Sequence, residues 1–390
     1  MPDDQMREPL SVYIHIPLCV RKCAYCDFTS YSGLLSQRDA YVEAVCREMR
    51  AQAAFFGRRS VHTVFLGGGT PTLLTHLQVS RLLETLRECL DVFPEAEITI
   101  EGNPGTLTPQ SLRALHAAGV NRLSLGVQSL DDTLLAAIGR IHTARQAQEA
   151  VAMARDAGFD NLNIDLMVGL PGQSPAQWEE TLSRAIALGP EHMSCYNLIV
   201  EEGTPLYAAV RDGTCAPLPG EEELEQMDGV TQRLTLGAGY ERYEVSNYAL
   251  PGRECRHNLV YWECGPYLGL GCAAHSDVDG RRFYNPDPWE DYLRLANGGN
   301  TLRPAEGNGT AGERMFERMM MGLRMVRGVD VPRFERDFGR RMEDVWPQSL
   351  ERLTQGGLLE RKGERIALTP RGMQVMNGVL VELLREQERA

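Results

Sequence analysis

Ser11-Val-Tyr-Ile-His-Ile-Pro-Leu-Cys19-Val-Arg-Lys-Cys23-Ala-Tyr-Cys26 is the stretch on which the reading of this chain turns. An apolar, strand-like run leads through Pro17 into three cysteines spaced CxxxCxxC. Thiolates suit zinc or iron–sulfur clusters, and a four-iron cluster normally takes four cysteines. Three thiolates on one short loop leave one iron without a protein ligand, open to a small molecule, as a catalytic metal keeps one vacant position. Zinc is the alternative, but its sites usually pair CxxC with a second Cys or His pair. No second CxxC and no HxxxH occurs in the chain.

Bulk properties narrow the setting. A chain of 390 residues has room for two or three domains. Its 43% hydrophobic and 24% charged content is that of an ordinary globular protein. A net charge of −13 argues against a nucleic-acid or anionic-membrane binder. No apolar run is long enough to span a bilayer, and the start Met-Pro-Asp-Asp-Gln-Met-Arg-Glu does not read as a signal peptide. The ten cysteines are therefore expected in a reducing cytoplasm, as free thiols or cluster ligands.

From residue 11 to about 245 the text alternates. Strand-like segments fall at 12–16, 63–66, 97–101, 122–126, 163–167 and 193–198, with helical segments at 38–54, 77–90, 111–118, 144–157 and 176–188. Thr108-Pro109 and Ser174-Pro175 are helix-start signals, and Gly119 and Gly158 sit where helices should stop. Six β/α units predict a parallel sheet, read here as a partial (β/α)6 barrel of the TIM-like type with its site at the strand C-termini. Three units are expected: the barrel over 1–250, a Gly- and aromatic-rich extension over 251–303, and a C-terminal domain over 304–390. The turn-rich segment 303–312 marks the second boundary. Helices followed by a hairpin at 358–368 resemble a winged-helix module. Its charges nearly cancel, so a structural or partner-docking role is expected rather than DNA binding.

Several motifs fall at the predicted strand ends. Gly67-Gly68-Gly69-Thr70 follows the second strand, where glycine lets the backbone approach a ligand. Glu101 ends the third strand and suits a ribose hydroxyl. Gln128 ends the fourth and offers an amide. Arg140 carries a fork that fits a carboxylate, and Asp165 lies on the fifth strand between apolar neighbours.

Cys19-Val-Arg-Lys-Cys23-Ala-Tyr-Cys26 resembles the cluster loop of the radical S-adenosylmethionine (SAM) superfamily. In order and context, Gly68, Gly69, Thr70, Glu101, Gln128, Arg140 and Asp165 resemble the SAM-binding positions of its coproporphyrinogen dehydrogenase-like branch. Tyr13 and Tyr25 match positions that pack on the cluster and SAM, and Leu368-Thr-Pro-Arg-Gly372 matches the C-terminal domain. The resemblance implies a [4Fe–4S] cluster on Cys19, Cys23 and Cys26, with SAM on the open iron. In this superfamily SAM yields a 5′-deoxyadenosyl radical, the cofactor carrying the hard chemistry.

Within that branch two functions compete. The oxygen-independent coproporphyrinogen III dehydrogenases remove propionate carboxylates and carry CxxxCxxCxC. Here Phe28 stands in place of the further cysteine, and only 18 residues precede Cys19, where the dehydrogenases have a longer segment. Both departures favour heme chaperones of the HemW type, which hand heme to respiratory proteins; a porphyrin-modifying relative is a third reading. His257-Asn-Leu-Val-Tyr261-Trp262 resembles the heme-binding HNxxYW signature of those chaperones. Imidazole is a standard heme ligand, with Cys255 as a rival thiolate. A histidine beside Tyr and Trp is also an ordinary hydrogen-bonded core residue. The resemblance further implies heme and heme-accepting respiratory proteins as partners, no nucleic acid, peripheral membrane association through partners, and a homodimer. His15 is expected to face the barrel mouth or its packing. The Met-rich run 315–325 and Cys46, Cys89, Cys195, Cys215, Cys264 and Cys272 are expected to serve as packing.

Overall fold

A parallel strand buried on both faces reads as an unbroken apolar run, and Leu10–Ile16 does so, with six of its seven residues buried. In the computed structural model, which describes residues 8–298 and 309–389, this segment is β1. It is followed by β2 (Ser60–Gly68), β3 (Asp91–Gly102), β4 (Arg122–Gln128), β5 (Leu162–Val168) and β6 (His192–Asn197). The six lie side by side in chain order and pair in parallel throughout. Each expected strand is present, extended by a few residues at most ends.

Parallel neighbours need crossovers. These are α1 (Arg38–Phe56), α2 (His76–Cys89), α3 (Pro109–Ala117), α4 (Ala144–Asp156) and α5 (Pro175–Ala187). The starts of α2 to α5 are closed capping boxes on Thr75, Thr108, Thr143 and Ser174, and Pro109 and Pro175 open the first turns of α3 and α5. Each such cap contributes about 1 kcal/mol, the cost of replacing it by alanine.

The β/α repeat stays open, as the partial-barrel reading requires. Its edges pair with further strands instead of with each other. At the β6 edge come β7 (Glu241–Arg242) and β8 (Asn247–Ala249): β8 pairs antiparallel with β6, and β7 antiparallel with β8. Beside β1 lies β9 (Tyr267–Leu270), parallel to it, then antiparallel β10 (His275–Val278) and β11 (Arg281–Tyr284). The expected boundary at 250 is thus corrected: the extension completes the same sheet, and one hydrophobic core runs from Leu10 to Ala296. Its strands are four residues long, too short to show a period-2 pattern.

Between β8 and β9 runs α6 (Arg256–Trp262), which carries HNxxYW. Residues 303–308 of the expected linker lie outside the described residues. The C-terminal part has its own core, from Met315 to Leu383. It holds α7 (Ala311–Gly322), β12 (Val329–Asp330), α8 (Pro347–Gln355), the hairpin β13 (Leu359–Lys362) and β14 (Arg365–Leu368), and α9 (Met376–Gln387). Met315 and Met319 are buried core residues, as their helical spacing implied. Of the cysteines expected to serve as packing, Cys46, Cys195 and Cys272 are buried, whereas Cys89, Cys215 and Cys264 are only half-buried. Among the described residues no helix is long and apolar enough to cross a membrane.

Candidate functional site

The cysteine loop leaves β1 at Pro17 and returns at Tyr31, where Tyr31 N–H donates to Pro17 O at 2.7 Å and Leu18–Cys19 pairs with Tyr31–Ser32. It is pinned from outside as well. Ala24 N–H donates to Ile138 O, Leu206 N–H to Ala24 O, and the Arg21 guanidinium to Gly139 O. The eleven residues 20–30, without a helix or strand of their own, are thereby held over the C-terminal ends of the sheet.

Under it lies a cavity of about 400 Å³. Cys19, Cys23, Cys26, Tyr25, Gly68, Gly69, Thr70, Glu101, Gln128, Arg140 and Asp165 all line it. Every residue put forward from the sequence is there except Tyr13 and His257. Arg140 reaches the cysteines directly, Nη1 donating to Cys23 Sγ at 3.4 Å, and its Nη2 donates to Gly126 O. Thr70 Oγ1 lies 3.9 Å from Cys19 Sγ. Gln128 holds φ at +68°, where the β4–β5 pairing slips by one residue. A non-glycine residue in that region is strained, a condition that clusters at ligand sites.

Two acids share the floor. Glu101 accepts from Gly68 N–H at 3.0 Å, yet burial, reinforced by the Asp165 charge, pushes its carboxyl up to about 8. Asp165 is raised by burial too, opposed by hydrogen bonds from Ser194, Asn163 and Ser124. Burial likewise pushes the Cys19 and Cys26 thiols up.

The glycine triplet has a second purpose. Gly68 sits at φ +113°, and a Cβ there would lie 2.4 Å from His15. On Gly67 it would meet Phe65 at 2.8 Å, and on Gly69 the Leu18 carbonyl at 2.6 Å. These positions are glycine because β1 and its loop pack against them, besides facing the cavity.

The donors fit a cluster with an adenosyl ligand better than a single ion. Three thiols from one loop face one cavity of ligand size. Among the described residues, however, no three His, Cys, Asp or Glu side chains gather closely enough to hold one metal ion. A cubane takes one thiolate per iron, so it needs no such close gathering on one ion. The Arg140 Nε is buried without a partner, a donor left over for a ligand.

Two of the expected site residues are not among those lining the cavity. Tyr13 lies outside the cavity, its hydroxyl bonded to His15 Nδ1 at 2.8 Å and its ring stacked on Phe65. His257 is 1% exposed, with both ring nitrogens committed: Nδ1 lies 2.8 Å from Thr63 Oγ1 and Nε2 3.0 Å from the Tyr261 hydroxyl. Burial pulls its pKa down to about 3. An axial ligand needs an imidazole lone pair free and within reach, and neither nitrogen offers one. Cys255 is no substitute: it is fully buried, points at Glu97 Oε1, and is pushed up to about 12. His15 does belong to the mouth's packing, between Tyr13 and Thr29 O.

Sequence reasoning missed Met167, Tyr196 and Asn103 in the cavity wall. Met167 and Tyr196 lie near the C-terminal ends of β5 and β6, so strand position alone was a usable signal. Phe28, singled out only as a replacement, also lines the cavity and is 69% exposed.

Comparison with known proteins accords with this geometry. Residues 13–185 match the radical SAM superfamily, and residues 310–375 match the HemN C-terminal domain. The heme chaperone HemW of Bacillus subtilis is 37% identical over 96% of this chain and 99% of its own. That of Escherichia coli is 37% identical over 97% and 99%. Among solved structures, the coproporphyrinogen III oxidase HemN of Escherichia coli, a radical SAM enzyme, superposes with a TM-score of 0.83 at 26% identity, over 97% of this chain and 90% of that one. Match over nearly the full length of both chains, on a fold whose cysteine loop closes over a single cavity, makes this chain a member of the HemW family within the radical SAM superfamily.

Proposed function

We propose that the chain binds heme and delivers it to respiratory heme proteins. In this reading it carries a [4Fe–4S] cluster on Cys19, Cys23 and Cys26, with SAM beside it. The observation that carries the choice over porphyrinogen decarboxylation is Phe28. An exposed apolar ring stands on the cavity wall at the position where the dehydrogenase pattern has a thiol. Val20 and Ile199, 50% and 68% exposed, flank the same loop and the end of β6, so the mouth presents apolar surface of the kind that marks a binding face.

The side chains divide the work of holding SAM by their chemistry. Gly68, Gly69 and Thr70 would hold its amino group, Glu101 a ribose hydroxyl, Arg140 its carboxylate, and Gln128 and Asp165 the remaining polar edge. Tyr25 closes the cavity beside the thiols. When bound, the cluster and SAM supply one-electron chemistry. The chain's own part is to orient the cofactor and exclude water, with Arg140 opposing the thiolate charge at Cys23. The reading places the chain in the cytoplasm, meeting the membrane only through the proteins it serves, and includes a homodimer. It assigns nucleic acid no part.

An anaerobic heme titration of the cluster-loaded chain tests this, run beside a coproporphyrinogen III turnover assay. Near-stoichiometric heme binding without decarboxylation is expected. Turnover at the rate of a true dehydrogenase, which the HemN likeness keeps as the second reading, would overturn it.

A further inference from the structure

The HNxxYW helix lies at the end of the sheet opposite the cysteines. The N–H groups of Arg256 and His257 each donate to the Glu97 carboxylate at 3.1 Å. His257 reaches Thr63, whose hydroxyl donates to Ser11 Oγ at 2.7 Å. Glu97, Thr63 and Ser11 lie before the mouth-side ends of β3, β2 and β1. The far end of α6 grips the C-terminal domain, with the Arg324 guanidinium 5.9 Å over the Trp262 ring and Glu263 paired with Arg327. The motif therefore sits between two domains.

From His257 a packed line leads back to the mouth. Its ring stacks on Phe65 at 5.2 Å and lies 6.4 Å from Tyr13. The Tyr13 hydroxyl donates to His15 Nδ1, and His15 Nε2–H donates to Thr29 O at 2.8 Å, in the cysteine loop just past Phe28. The same imidazole fills the space over Gly68, whose N–H holds Glu101. One histidine thus touches both the returning loop and the glycine beneath the ligand cavity. Its own seat depends on Tyr13, which His257 and Phe65 wedge in place.

We propose that His257 is a positioning residue that fixes Tyr13 and Phe65 and, through His15, the cysteine loop and the Gly67–Gly69 turn, without ligating heme iron. The inference rests on the reading that the mouth holds the cluster and SAM.

The test uses the full chain, loaded with cluster, as wild type, His257→Ala, His257→Gln and Tyr13→Phe. SAM is titrated against the electron paramagnetic resonance spectrum of the reduced cluster, and heme against its Soret band. His257→Ala and Tyr13→Phe should each weaken the SAM response by about tenfold, the loss of one buried hydrogen bond. Both should bind heme with wild-type stoichiometry and Soret position, and His257→Gln should recover part of the SAM response. Loss of the Soret band in His257→Ala with an unchanged SAM response would overturn the proposal. Should His257→Ala fail to fold, Tyr13→Phe decides, since it removes only a hydroxyl: a wild-type SAM response in that variant overturns it. A wild type that shows no SAM response at all would instead remove the reading beneath.

Discussion

The two ends of the central sheet hold similar residues in opposite conditions. At the far end, His257 spends both ring nitrogens on Thr63 and Tyr261, and Glu97 accepts from two backbone N–H groups. At the mouth, Arg140 keeps a buried Nε without a partner, Gln128 holds a strained backbone, and Glu101 is raised to about 8. A polar group satisfied by its own chain is explained by the fold, whereas one left strained, unpaired or raised within the lining of a cavity calls for a ligand to explain it. His257 and Arg140 look alike as candidate site residues in sequence, and this difference separates them.

The sharpest way to break the comparison is at the thiols. Cys23→Ala should abolish cluster loading, leaving iron and sulfide content near background after reconstitution, while urea unfolding stays close to wild type. Retained full iron content would show that the loop is not the ligand set. At the other end the effects should reverse. Glu97→Ala unpins both N–H groups of α6 and should cost about 3 kcal/mol in urea unfolding, with the iron content per folded molecule unchanged. A variant as stable as wild type would mean that α6 is not anchored there.

Glu101 gives the comparison a pH axis. Its carboxyl is raised from 4.5 to about 8 in the folded chain, so between those values the unfolded chain has released a proton that the folded chain keeps. Stability from this group is therefore lost progressively as pH rises through that window. In the protein without cofactors, Glu101→Gln should gain on wild type as pH climbs from 4.5 to 8, and equal gains at both ends would contradict the assignment. The smallest effect is expected at the rim. Phe28→Ser removes one exposed ring and should weaken heme binding by about tenfold or less, measured by Soret titration, with SAM affinity unchanged.

Much of this was legible in the chain because its central strands are buried on both faces and announce themselves as apolar runs, from Leu10–Ile16 onward. Capping signals at Thr108 and Ser174 marked where helices begin. Residues toward the strand ends, such as Glu101, Gln128 and Asp165, could be expected to share one cavity, as they do, because an α/β repeat sends all such ends one way. What stayed hidden depends on contacts between distant segments. Nothing local in Tyr267–Leu270 shows that it pairs with β1. Nothing in HNxxYW shows that Thr63 and Tyr261 occupy its imidazole. Nor does anything near Tyr13 in the sequence show that its hydroxyl is bonded to His15.

On the proposed reading the mouth, and not the HNxxYW end, is the open coordination site. The most direct measurement is electron–nuclear double resonance on the reduced, cluster-loaded chain with SAM carrying carbon-13 in its carboxyl group. A resolved carbon-13 coupling to the cluster, absent in Cys23→Ala, is expected. A cluster that forms fully yet shows no coupling at saturating SAM would contradict it.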